Sequence, residues 1–233
     1  MKWERLPDDF LLPDDPVDNV NQPALAAALT DSLNQAGRLG DRAFTMTNYG
    51  ICATVNDRTV VKAPDWAYVA SIKVPREDIE RSYTPHLQGE VPAIALEFLS
   101  ETAGEEYSIK PTHPPGKWFF YESVLQVPYY GVFEPSSGGL EVYQLGEAGR
   151  YTVQIMAENG KYWIASMQLF LGVWQGTREN RTGYWLRWWD AQGQLLLWGT
   201  ERAEQEAQRA EQEAQRAERL RAQLRAAGID PEE

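Results

Sequence analysis

Residues 93–100, AIALEFLS, place one carboxylate, Glu97, inside an apolar run. A run of this length predicts a strand buried on both faces, and such strands belong to sheets that helices cover. Residues 117–126 follow with a helical apolar pattern, and residues 128–135 are again strand-like. A strand, a helix and a second strand in this order predict a crossover unit and therefore an α/β fold.

The segments on either side of this unit predict further elements. Residues 23–37 form a predicted helix, with Pro23 at its start and Gly37 as its stop. Residues 51–55 and 59–72 predict paired strands joined by the turn at 56–58. Later aromatic segments with glycine turns between them predict an antiparallel extension of the sheet: GLEVYQLG, GRYTVQIM, KYWIA, GYWLRWWD and GQLLLW.

The chain divides into a predicted domain at 1–199 and a charged helical tail at 200–233. The tail repeats AEQEAQR at 203–209 and 210–216, which gives an alanine seam with heptad spacing. An alanine seam buries little area, so a solvated helix ending at Gly228 and a dimerising coiled coil are both open. Leu220, Leu224 and Ile229 favour contact with a partner, and a homodimer is the expectation.

The net charge of −12 argues against nonspecific attraction to a polyanion. The tail carries nine acidic and six basic residues, so the remaining −9 lies on the body. A nuclease of this charge needs a local basic groove, neutralisation by magnesium, or a partner that brings the substrate.

Several classes of protein are disfavoured by simple counts. The single cysteine, Cys52, excludes an intramolecular disulfide and a cysteine-based metal site. The first residues lack the pattern of a signal peptide, and no apolar run is long enough to cross a bilayer. We therefore expect a cytoplasmic protein that does not insert into a membrane.

Three polar residues in apolar settings, Asp65, Glu97 and Lys117, are the candidates for chemistry. Two carboxylates on neighbouring strands are able to hold a hard cation such as magnesium through oxygen ligands. The cation then activates a water, and a nearby lysine positions that water or stabilises the phosphate. In the competing interpretation, Asp65 is a turn residue and Glu97 forms a salt bridge with Lys117.

Other candidates are weaker. Both histidines, His86 and His113, lie in loops beside proline and are expected at the surface without a zinc pattern. Ser100 lacks the GxSxG context of a serine hydrolase. A tryptophan cluster is suited to stacking on bases but more commonly forms core or an interface: it consists of Trp185, Trp188 and Trp189.

The motifs as a set resemble the Uma-two family of restriction endonuclease-like proteins, over roughly residues 20–190. The matching positions are Pro64-Asp65, Glu97 to Ser100, Lys117 with Tyr121, Val127-Pro128 with Tyr130, and Glu134-Pro135. The heptad tail is also a frequent companion of such domains.

The resemblance implies a restriction-endonuclease-like fold, with a mixed central sheet flanked by helices, within the PD-(D/E)xK nuclease superfamily. It implies an endonuclease that cuts DNA with Mg²⁺ or Mn²⁺. Asp65, Glu97 and the carbonyl of Phe98 would hold the metal. The usual lysine position is Leu99, and the resemblance assigns the lysine role to Lys117 on the following helix.

Some features depart from the family pattern. The stretch between Glu97 and Lys117 is rich in proline, and Pro114, Pro115 and Gly116 replace an acidic residue expected before the helix. Lys110 is a rival for the lysine role. Two alternatives therefore stay open: an inactive nuclease fold that assembles through its tail, and a carbohydrate- or ligand-binding protein that uses its aromatic strands.

Overall fold

The computed structural model describes residues 1–12, 20–100 and 106–227. The chain forms two compact units, Met1–Leu196 and Leu197–Glu233. Among the described residues, no helix has the length and apolar character needed to cross a membrane. The fold is mixed α/β, as the sequence predicts, with a six-stranded mixed sheet at its centre.

Helix α1, Gln22–Gln35, matches the predicted helix at 23–37. Pro23 lies in its first turn, where a missing N–H costs no helical hydrogen bond. Gly37 follows its end with a φ of +65°, a left-handed conformation that glycine adopts at little cost. The helix buries its leucines and alanines against the body: Leu25, Ala26, Ala28, Leu29 and Leu33.

The central sheet contains the predicted crossover. Its strands are β1 (Phe44–Met46), β4 (Trp66–Val69), β5 (Ile94–Phe98), β6 (Tyr129–Glu134), β7 (Gly139–Leu145) and β8 (Tyr151–Val153), in the order β1-β4-β5-β6-β7-β8. Strands β5 and β6 are parallel, while the other pairs are antiparallel. The predicted hairpin forms a separate pair of strands, β2 (Ile51–Val55) and β3 (Arg58–Lys62). The predicted strand at 59–72 is wrong in its extent, because its second half forms β4 in the central sheet. A short 3₁₀ helix lies at Arg76–Asp78.

The crossover between β5 and β6 ends in an unusual helix. One α-helical turn, α2 (Lys117–Phe119), continues directly as a π-helix, Phe120–Leu125. The segment buries Phe120, Tyr121, Val124 and Leu125 in the main apolar core. Wider turns of this kind recur at functional sites.

The prediction of one continuous antiparallel extension is only partly right. Strands β7 and β8 do extend the central sheet, but three later strands form a sheet of their own. These are β9 (Tyr162–Ile164), β10 (Leu169–Arg178) and β11 (Arg181–Trp189). The long strand β10 was not predicted, and GQLLLW contributes only an isolated bridge, from Leu195 to Trp189.

The two faces of the central sheet have different partners. Trp66 on β4 donates a hydrogen bond from its indole to Thr30 of α1, and its ring lies 5.8 Å from that of Trp188 on β11. Because side chains alternate along a strand, the next residue of β4, Ala67, points to the opposite face, where it belongs to the same apolar core as Phe120 and Tyr121 of the crossover helix. That opposite face carries the crossover helix and the candidate site.

The second unit contains helix α3, Gly199–Ala226. Glu201 closes its first turn by accepting a hydrogen bond from the backbone N–H of Trp198 at 2.8 Å. Every residue from Arg202 to Ala226 is exposed, and Leu220 and Leu224 are 51% and 38% exposed. The predicted stop at Gly228 and the contact of Ile229 lie outside the described residues. Pairing of this helix in a homodimer stays a prediction.

Candidate active site

The pairing register of β4 and β5 brings the two predicted carboxylates together. The last paired residues are Trp66 and Leu96, and Asp65 and Glu97 are the next residues beyond this pair on the two segments. Asp65 lies near enough to Glu97 for its charge to raise the pKa of that carboxyl. Asp65 also accepts a 2.5 Å hydrogen bond from the backbone N–H of Phe98. Both carboxylates are buried, with 7% of Asp65 and none of Glu97 exposed.

The crossover helix supplies the other two groups that contact Glu97. Lys117 Nζ lies 2.8 Å from Glu97 Oε2, and the hydroxyl of Tyr121 donates to Oε1 at 3.0 Å. The lysine and the tyrosine are four residues apart, so they share one side of the helix. Both predicted members of the Lys–Tyr pair therefore reach the same carboxylate. Lys110, the rival lysine, is exposed.

A third carboxylate, Glu106, belongs to the site and was not predicted. Its Oε1 lies 3.5 Å from Lys117 Nζ, and only 15% of its side chain is exposed. The hydroxyl of Tyr130 on β6 donates to the backbone carbonyl of Glu106 at 2.9 Å, which ties the segment before the helix to the sheet. No sequence periodicity marks this position.

Gln22, at the start of α1, is a second residue that the sequence does not reveal. Its side-chain nitrogen donates to the carbonyl oxygen of Phe98 at 3.2 Å. That oxygen is the backbone group that the family resemblance assigns to the metal. The contact joins residues that are 76 positions apart, and a single-sequence pattern gives no sign of it.

Burial dominates the electrostatics of the site. It raises the pKa of Glu97 to about 8, although Lys117 lowers it, and the nearby Asp65 raises it further. Burial likewise raises the pKa of Asp65 to about 6, against the Phe98 N–H and Lys117. Burial also opposes the charge on Lys117, but the surrounding carboxylates together raise its pKa. The site is therefore short of positive charge.

Gly116 is the residue that lets the segment carrying Glu106 pack against the start of the helix. A Cβ at this position would clash with the backbone oxygen of Ser108. The backbone N–H of Phe119 also donates to that oxygen, at 3.3 Å. The Pro-Pro-Gly sequence that departs from the family pattern is thus part of the packing around Lys117.

Gly116→Ala is expected to lower the free energy of unfolding by about 1–3 kcal/mol, since the backbone of Ser108 has to move. Chemical denaturation of the purified variant measures this loss. Gly40→Ala is the matched control, because nothing lies within 4 Å of its added Cβ. Equal stability of the two variants would contradict the packing role of Gly116.

The remaining candidates lie away from this cluster or are buried. His86 and His113 are exposed, as predicted. Trp185 and Trp188 are 1% and 0% exposed, so they form core and do not line an open groove for bases or sugars. Trp189 is partly exposed, and Lys161 lies 4.7 Å over its ring.

The oxygen atoms of the site are of the chemical type that magnesium prefers as ligands. Within the described ranges, no group of three or more His, Cys, Asp or Glu side chains is arranged to hold a metal ion. Magnesium, however, is commonly bound through one or two carboxylates and keeps several waters. Asp65, Glu97 and the Phe98 carbonyl are hard oxygen donors of the kind that this ion takes.

Comparison with known proteins gives one family. The family model Uma2, described as "Putative restriction endonuclease", matches residues 2–178, which include Asp65, Glu97 and Lys117. No curated protein gives a significant match. Since the match covers most of the chain, and the fold places the family's motif residues in one buried cluster, the protein belongs to the Uma2 family.

Proposed function

We propose that the protein is a magnesium-dependent endonuclease that hydrolyses phosphodiester bonds in DNA. Family membership supports the reaction class. The observation that carries the proposal is the contact of Lys117 Nζ with Glu97, 2.8 Å apart, at a buried carboxylate that also lies near Asp65. A structural ion pair alone gives no reason to bury a second carboxylate beside the first, because each raises the cost of ionising the other.

Each residue then has a definite task. Asp65, Glu97 and the Phe98 carbonyl would hold Mg²⁺ or Mn²⁺. When bound, the ion would supply the charge that acidifies a water and stabilises the phosphate. Lys117 is placed to donate a hydrogen bond to the attacking water or to a phosphate oxygen. Tyr121 fixes the orientation of Glu97 through its hydroxyl.

Cleavage of supercoiled plasmid and of circular single-stranded DNA by the full chain tests this proposal. We expect Mg²⁺- or Mn²⁺-dependent nicking or linearisation that EDTA abolishes. Glu97→Gln and Lys117→Met are expected to slow it by about 100-fold or more, as for other groups that stabilise transition-state charge. Lys110→Met is the matched control and should cleave like the wild type. If Glu97→Gln preparations cleave at the wild-type rate, the activity does not come from this site.

A further inference from the structure

A pair of aromatic rings borders the candidate site. Tyr107 and Trp118 stack with centroids 6.4 Å apart and an interplanar angle of 29°. Each follows a residue of the site directly in sequence, Glu106 for the tyrosine and Lys117 for the tryptophan. Tyr107 is 47% exposed, so the tyrosine ring presents a surface to solvent with the indole behind it.

Hydrogen bonds and ring contacts hold this pair in place. The indole N–H of Trp118 donates to Glu122 at 3.3 Å, and the ring of Tyr143 meets the indole edge-on at 4.6 Å. The hydroxyls of Tyr107 and Tyr143 both donate to Glu141 Oε2, at 2.9 and 2.6 Å. An exposed ring fixed in this way loses little freedom when a planar group stacks on it.

The charges around the pair disfavour recognition through phosphates. Burial contributes most to the raised pKa of Tyr107, and the nearby carboxylates of Glu141 and Glu106 raise it further. Lys117 contacts Glu97 and Glu106, and in the proposed reaction it serves only the phosphate that is cleaved. The whole chain carries −12. Stacking of a neutral base on an aromatic ring, in contrast, contributes roughly 1–3 kcal/mol of binding free energy, and every type of base is able to stack in this way.

We propose that Tyr107, backed by Trp118, stacks on an unpaired base of the substrate, so that the site acts on single-stranded rather than fully paired nucleic acid. The inference rests on the proposed phosphodiester hydrolysis and names its substrate class. A duplex buries its bases in its own stack, whereas a single strand offers their faces to the ring. Stacking also lets an acidic protein bind a polyanion with few phosphate contacts.

Fluorescence anisotropy tests the inference in EDTA, where hydrolysis does not interfere. The probes are a labelled 12-nucleotide thymidine strand, its duplex with adenosine, and a strand of equal length and charge that lacks all bases. We expect the full chain to bind the thymidine strand at least about 10-fold more tightly than either comparison probe. Its affinity should also fall only shallowly with salt, because few counterions are released.

Two variants separate stacking from hydrogen bonding. Tyr107→Ala should weaken binding of the thymidine strand by about 10-fold, whereas Tyr107→Phe, which keeps the ring and loses only one of the contacts that hold it, should lose much less affinity. Equal binding to the base-free strand, equal binding to the duplex, or equal losses in both variants would overturn the inference, as would no binding at all. Metal-dependent plasmid cleavage that persists alongside such a result would leave the proposed hydrolysis standing.

Discussion

Lys117→Met is expected to destabilise the protein by about 3 kcal/mol at pH 9, because it leaves the carboxylate of Glu97 without its cation in a site with no solvent exposure. Methionine keeps most of the length of the lysine stem, so little of this loss comes from a cavity. Denaturant unfolding of the metal-free protein measures it. Lys110→Met, at an exposed position, is the matched control and should change stability little.

The loss should depend on pH in a defined direction. The folded pKa of Glu97, about 8, lies above its ordinary value of 4.5, so the native state holds this proton more tightly than the unfolded chain. The resulting stability is fully present below pH 4.5 and is lost as pH rises through 8. Near pH 5 the carboxyl is neutral with or without Lys117, and Lys117→Met should then cost much less than at pH 9.

The double variant isolates the pair itself. Replacing Glu97 with glutamine removes the charge that Lys117 compensates, so Lys117→Met in the Glu97→Gln background should lose less stability than in the wild type. Identical losses in the two backgrounds, or a Lys117→Met loss that does not change between pH 5 and pH 9, would show that the lysine acts only through its packing.

Asp65→Asn is expected to abolish stabilisation of the fold by a divalent metal. When ionised, the three carboxylates of the site and Lys117 leave two negative charges in a largely buried cluster, which one divalent cation would neutralise. A ligand that binds only the native state at about 100 times its dissociation constant adds about 2.7 kcal/mol. Thermal unfolding with and without Mn²⁺ should show this gain in the wild type and not in Asp65→Asn.

The central strands and two of the site carboxylates could be predicted because their signals are local. An apolar run around Glu97 specifies a buried strand, and a buried lone carboxylate needs a partner. Lys117 and Tyr121 follow from helical spacing. Both side chains reach Glu97 because their helix lies in the connection between two parallel strands. Such crossover connections are right-handed in nearly all proteins, which fixes the face of the sheet that the helix covers.

The residues that escaped prediction depend on contacts distant in sequence or on irregular backbone. Glu106 and Tyr107 lie in a segment without helical or strand periodicity, so its hydropathy pattern does not show which way their side chains point. Gln22, on α1, reaches the Phe98 carbonyl across 76 positions of the sequence. Strand β10 was missed although it is the longest of the described strands. Its place in a separate sheet is decided by long-range pairing with β9 and β11.

The aromatic residues differ in how far their burial could be predicted. A cluster of three is suited to stacking on bases but more commonly forms core, and two of its members, Trp185 and Trp188, are indeed buried in the core. The exposed stacking surface instead involves Tyr107, a single ring in a polar segment. The sequence shows where aromatic residues lie along the chain, but the tertiary fold decides which ring faces solvent.

Isothermal titration calorimetry of the metal-free full chain with Mn²⁺ tests whether Asp65 and Glu97 form a metal site. The titration is made at pH 8.5, which is above the raised pKa values of both carboxyls, about 6 for Asp65 and about 8 for Glu97. We expect one ion bound per chain in the wild type and in Glu141→Gln, which alters an exposed carboxylate nearby. We expect no measurable binding in Asp65→Asn or Glu97→Gln. Wild-type binding that survives in both of these variants, or no binding in the wild type at millimolar Mn²⁺, would contradict such a site.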